Sequence, residues 1–169
     1  MRPSESEVSP AHAAYIALVE GDDVLSAIEK QSSATQKLLA SLDESRASFR
    51  YAEGKWSVKE VVGHLVDAER ILGYRALAIA RGDTQPLPGF DEDGYVRNAN
   101  FDAWRLGDLG EAYALARRAT IVFFRNLPEE AWMRRGIANA HEVTVRALAW
   151  TIAGHELHHL KTLRERYRL

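Results

Sequence analysis

His155 and His159 lie four residues apart in the stretch Ala153-Gly154-His155-Glu156-Leu157-His158-His159-Leu160. On a helix, at about 100° and 1.5 Å per residue, such a pair stands about 40° apart and about 6 Å along the axis. One helix can therefore present both imidazoles to a single cation. His64 is a third imidazole, alone on a separate stretch of helical pattern. Three neutral imidazoles converging from two helices make a divalent metal site with a coordination position left for water or substrate. His64 follows Val61 by three and precedes Ala68 by four, so it points along an apolar stripe toward the interior. A lone inward histidine would need a buried partner. A shared ion would satisfy one ring nitrogen, and a carboxylate or carbonyl could take the other. His158 could pair with His155 instead, but at i, i+3 the two are less well aligned. His12 and His141 fall outside or at the ends of the long helices and read as surface residues.

The same stretch satisfies the H-E-x-x-H pattern of zinc peptidases, in which the glutamate is general base. Two features weaken that reading. Only ten residues follow His159, and of these only Glu165 suits a downstream ligand. No strand pattern is evident to hold a substrate backbone. Glu156 projects about 80° from the mean direction of the two ligands, within reach of a metal-bound water. Glu156 and Asp67 are thus candidate proton-transfer groups; Glu60 is already explained as a helix cap.

These histidines need long helices to carry them. Ser57 and Glu60 form a capping box, with Trp56 and Val61 as its hydrophobic staple, and a helix follows to about Ala80. A short helix is expected over Ala11 to Val19, and another from a cap at Gly21-Asp22-Asp23 to about Leu42. Ser41 to Lys55 reads as a polar connection. Gly82 to Asn100 holds Pro86, Pro88 and three glycines and reads as a long loop or crossover. A further helix is expected from Asp108 to Asn126, and the last from an N-cap at Thr144 to about Tyr167, with Val143 stapled to Leu148. The pattern predicts an all-α four-helix bundle with a long connection in its middle.

The 169 residues suit one domain with a single core. The chain is 46% hydrophobic and 27% charged, a globular composition. It lacks an apolar run long enough for a membrane span, and its N-terminus lacks a signal-peptide core. With no cysteine, disulfides and thiolate ligands are excluded, and the cytoplasm is the simplest expected location. A net charge of −2 and arginine pairs without interleaved aromatics argue against nucleic-acid binding. The basic C-terminus (Lys161, Arg164, Arg166, Arg168) complements a helix dipole. The four tryptophans read as core and staple residues, while Trp104 with Phe90, Tyr95 and Phe101 could line a substrate pocket.

Trp56-Ser57-x-x-Glu60-x-x-x-His64-Leu65 resembles the second-helix motif of the DinB-like (YfiT-like) superfamily. Gly154-His155-x-x-x-His159 resembles that family's last-helix motif, and Pro88-Gly89-Phe90-Asp91 and Asn126-Leu127-Pro128 are also similar. The resemblance spans about residues 18–167 of a single domain covering 1–169. It implies a bundle whose second and third helices are joined by a long crossover. It also implies a divalent metal, zinc or nickel, held at His64, His155 and His159. The implied chemistry is metal-dependent hydrolysis, or transfer or isomerisation with a low-molecular-weight thiol, on a small-molecule substrate. A homodimer is implied too. A bundle that binds metal without turnover is the alternative.

Overall fold

The computed structural model describes residues 1–169. Four long helices form the bundle: α2 (Val24–Ala40), α4 (Val58–Ala80), α6 (Leu106–Arg125) and α7 (Val145–Tyr167). Three begin where the sequence supplies a cap. The Asp23 carboxylate accepts from the Leu25 and Ser26 amides, Ser57 and Glu60 close the capping box, and Thr144 Oγ1 accepts from Ala147 N at 3.0 Å. The caps fix where each helix starts, and hence which residues face inward.

Contacts along the helices reveal their directions. Lys59 reaches the Trp104 carbonyl at the start of α6, Glu69 pairs with Arg117 about halfway along, and Gly73 approaches Thr120. So α4 and α6 run parallel. Thr35 meets Glu156, and Arg46, just beyond α2, meets the end of α7 at Tyr167, so α2 and α7 are parallel as well. The two pairs run opposite to each other: Trp56 meets Tyr167 and His64 meets His155. Parallel neighbours require a chain return along the bundle. The segment between α4 and α6 makes that return.

The return is more structured than its prolines and glycines imply. Residues expected to be loop form α5 (Glu92–Ala99), capped by Asp91 on the Gly94 amide, and then a 3-10 turn at Phe101–Ala103. The polar connection before α4 likewise holds one helical turn, α3 (Glu44–Ala47), and the N-terminal helix α1 covers Pro10–Ile16.

A β-hairpin also appears where the pattern showed no strand: β1 (Arg135–Ala138) pairs antiparallel with β2 (His141–Thr144). Its two-residue turn, Asn139-Ala140, has φ of 49° and 63°, the left-handed pair that twists correctly into a hairpin. Alanine at the second turn position hides the signal normally given by glycine, and four-residue strands are too short to show alternation. Leu87 docks beside it, donating to the Ile137 carbonyl and accepting from the Asn139 amide. The hairpin thereby anchors the crossover.

The N-terminal segment is tied to α7. Buried Glu7 accepts from Thr144 Oγ1 at 2.9 Å and from Arg146, and these contacts hold its carboxyl down to about 2. Arg2 lies over the Trp150 ring. These ties press α1 onto α7 so closely that a Cβ at Gly154 would stand 2.2 Å from the Tyr15 carbonyl oxygen. Only glycine admits that approach, and it brings His12 and Tyr15 beside the last-helix histidines. Two apolar clusters fill the bundle ends, one around Trp150 and Phe124, the other around Tyr113 and Tyr167. No helix is long and apolar enough to cross a membrane.

Candidate metal centre

His64 from α4 and His155 and His159 from α7 meet between the two helices. His155 Nε2 stands 3.1 Å from His64 Nε2 and 3.1 Å from His159 Nε2, and one nitrogen from each ring fits within 4.8 Å of the others. A ring nitrogen carries either a proton or a lone pair. His155 Nε2 therefore cannot bond to both neighbours except by sharing one proton or one lone pair between them. A tetrahedral ion with metal–nitrogen bonds of about 2.0–2.1 Å would place its ligand nitrogens about 3.3 Å apart. The donor set fits such an ion.

Burial acts on the same three rings. Desolvation pushes His64 down to about 4 and His159 down to about 3, the latter with help from His64 and His158. Desolvation and then the neighbouring histidines push His155 well below its ordinary value. All three are neutral, ligand-competent imidazoles at pH 7. The orienting contacts differ from expectation. In place of a carboxylate or carbonyl on the second nitrogen, aromatic packing sets the rings: Trp56 lies 4.9 Å from His64 and Tyr15 5.5 Å from His155, centroid to centroid. His158 turns outward onto Tyr15, which leaves His159 in the cluster.

These pKa values set a pH dependence for the metal-free protein. The folded values lie below the unfolded value of about 6.5, so between about pH 4 and 6.5 the unfolded chain binds more protons. Stability contributed by the neutral rings is complete above that window and is lost as pH falls through it. Thermal unfolding of metal-stripped protein should show a falling Tm from pH 7 to pH 4, and a flat Tm there would contradict these burials.

The rings open on a cavity of about 230 Å³. Trp56 and Ala68 of its wall come from the α4 region, Thr151 from α7, and Phe90, Glu92 and Asn139 from the crossover and hairpin. His12 and Tyr15 of α1 complete it. His12 was expected at the surface; the N-terminal ties carry it inward instead. His141 is exposed, as expected. Of the four aromatics proposed for a pocket, only Phe90 lines this one, and Trp104 is 40% exposed on the outside.

Neither proton-transfer candidate faces the cavity. Glu156 is 1% exposed and projects into the bundle, where it accepts from Thr35 Oγ1 at 2.6 Å and from the Tyr113 hydroxyl. Its position beside His155 in sequence places it on a different helical face, already committed to α2 and α6. The zinc-peptidase reading loses its general base. Asp67 pairs with Arg70 at 3.4 Å and lies outside the cavity wall. The sequence also concealed an ion cluster: Arg117 Nη2 lies 2.8 Å from Glu69 Oε2 and 2.9 Å from Glu156 Oε2, all nearly inaccessible. Burial raises the Glu69 carboxyl, against the pull of Arg117.

Residues 27–163 match the family model of the DinB superfamily. The chain belongs to that superfamily. The chain is 25% identical over 138 residues to the Oceanobacillus iheyensis protein named "Putative metal-dependent hydrolase OB0413", covering 80% of this chain and 79% of the relative. Its structure is similar to YfiT from Bacillus subtilis, described as a probable metal-dependent hydrolase with an unusual four-helix bundle topology. That match has a TM-score of 0.77 at 16% identity and covers 99% of this chain and 92% of YfiT. It is also similar to a mycothiol-dependent maleylpyruvate isomerase, with a TM-score of 0.68 at 15% identity over 81% of this chain and 58% of that protein. These structural matches show a shared fold, the four-helix bundle of YfiT.

Proposed function

We propose that this DinB protein is a metal-dependent enzyme acting on a small molecule, with His64, His155 and His159 holding a divalent ion, zinc or nickel. The convergence of three Nε2 atoms at the floor of an open cavity carries the reading. When bound, the ion would supply Lewis acidity, lowering the pKa of a water ligand toward neutrality or holding a low-molecular-weight thiol as thiolate. The chain's own contribution is to keep three imidazoles neutral by burial, to orient them with Trp56 and Tyr15, and to restrict water between α1, α4 and α7. Two relatives are named as metal-dependent hydrolases and one as a thiol-dependent isomerase, and both chemistries suit this site.

A catalytic site must exchange a ligand, whereas a purely structural site is closed. Cobalt-substituted protein should develop a thiolate-to-cobalt absorption band when glutathione or 2-mercaptoethanol is added. A saturating spectral change supports an open coordination position. A spectrum indifferent to thiols, azide and pH would mark a closed, non-catalytic site.

A further inference from the structure

Two arginines are buried inside this molecule, and the fold treats them differently. Arg117 receives two carboxylates. Arg75 is 5% exposed, yet its guanidinium enters no ion pair and makes a single hydrogen bond, from Nη2 to the Pro88 carbonyl at 2.6 Å. Its remaining N–H groups are not closed off within the protein. They belong to a residue that lines the cavity of the three histidines. Leaving a buried cation with no carboxylate in contact is costly, whereas Arg117 is given two.

The surroundings hold the guanidinium in place with no carboxylate in contact. The Pro88 carbonyl fixes one nitrogen, and Phe90 lies 6.0 Å away beneath the cation. Asn139, at the hairpin turn, packs so tightly over Gly89 that a Cβ there would stand 2.3 Å from its Oδ1. The crossover segment that grips Arg75 is thereby pinned. Glu92 lies in the cavity wall and attracts Arg75 without an ion-pair contact; burial, with Asp93 and Asp91, raises its carboxyl against that attraction. His12 adds no negative charge.

We propose that Arg75 anchors the oxyanion of a small substrate, a carboxylate or phosphate group, bound in the cavity of the three histidines. A guanidinium offers a fork of donors suited to such groups. The cavity, about 230 Å³, is smaller than the roughly 300–1,000 Å³ of drug-sized sites, so the substrate is a small acid. Only the placement of the substrate's reacting end beside a metal rests on the proposed function; the anion site stands on Arg75 itself.

The test titrates acetate, inorganic phosphate and neutral acetamide into metal-stripped and metal-loaded protein. Binding is followed by calorimetry and by the Arg75 Nε–Hε resonance, assigned through its loss in Arg75→Lys. Acetate or phosphate should produce a saturating shift in the metal-stripped wild type, and the tighter of the two identifies the group. Acetamide should produce none. Arg75→Met should weaken anion binding about tenfold or more while leaving metal content unchanged, and Arg75→Lys should fall between. The wild-type titration decides the matter even where a variant fails to fold. Absence of a saturating response to either anion, or equal affinity in Arg75→Met, overturns the proposal. Anion binding in a protein that takes up no metal would retain Arg75 and discard the metal reading instead.

Discussion

His155→Ala protein is expected to lose nearly all of its metal. His155 is the central member of the trio, with its Nε2 3.1 Å from each of the other two. Structural zinc sites with four ligands carry about 10–16 kcal/mol, so one ligand is worth roughly 3 kcal/mol, about a hundredfold in affinity. Dialysed wild type should retain about one ion per chain and the variant under a tenth of that. His64→Ala and His159→Ala should behave alike, since two imidazoles hold a divalent ion weakly. Elemental analysis after dialysis, with circular dichroism to confirm folding, checks this. Full metal content in a folded His155→Ala variant would remove His155 from the ligand set.

Arg117→Met is expected to destabilise the fold by about 3–5 kcal/mol, because it strips the counter-charge from two inaccessible carboxylates. For a chain of this size that corresponds to a Tm lower by roughly 10 °C or more. The loss should grow as pH rises. Without Arg117 the folded carboxylates titrate above their unfolded values, so the folded state holds extra protons that it must shed at higher pH. Replacing Glu69, Arg117 and Glu156 together with apolar residues of similar volume should recover much of the stability. Denaturant unfolding at two pH values measures both effects. A single variant within about 1 kcal/mol of wild type would mean that solvent reaches the cluster.

The parts of this protein legible in its sequence are those written in local periodicity. The α4 capping box, the i, i+4 spacing of His155 and His159, and the inward direction of His64 each depend on residues within a turn or two. The long proline-bearing segment correctly indicated a return between parallel helices. What stayed hidden depends on contacts distant in sequence. His12 reaches the cavity because Glu7, Arg2 and the close approach at Gly154 tie the N-terminal segment to the last helix. Glu156 looked catalytic because its neighbour is His155, but one residue is about 100° of helix, enough to turn it toward Thr35 and Tyr113. Arg75 gave no local signal at all: a lone arginine on a helix reads as solvated until the crossover closes over it. The hairpin leaves no signature in the sequence because Ala140 adopts a backbone that glycine usually advertises.

X-ray absorption spectroscopy of wild-type protein carrying zinc tests the central claim most directly. Three imidazole nitrogens are expected at about 2.0–2.1 Å with one further light ligand, and the three-imidazole signature should be lost in His155→Ala. A first coordination shell dominated by carboxylate oxygens, or an imidazole count unchanged in that variant, would place the ion elsewhere and contradict it.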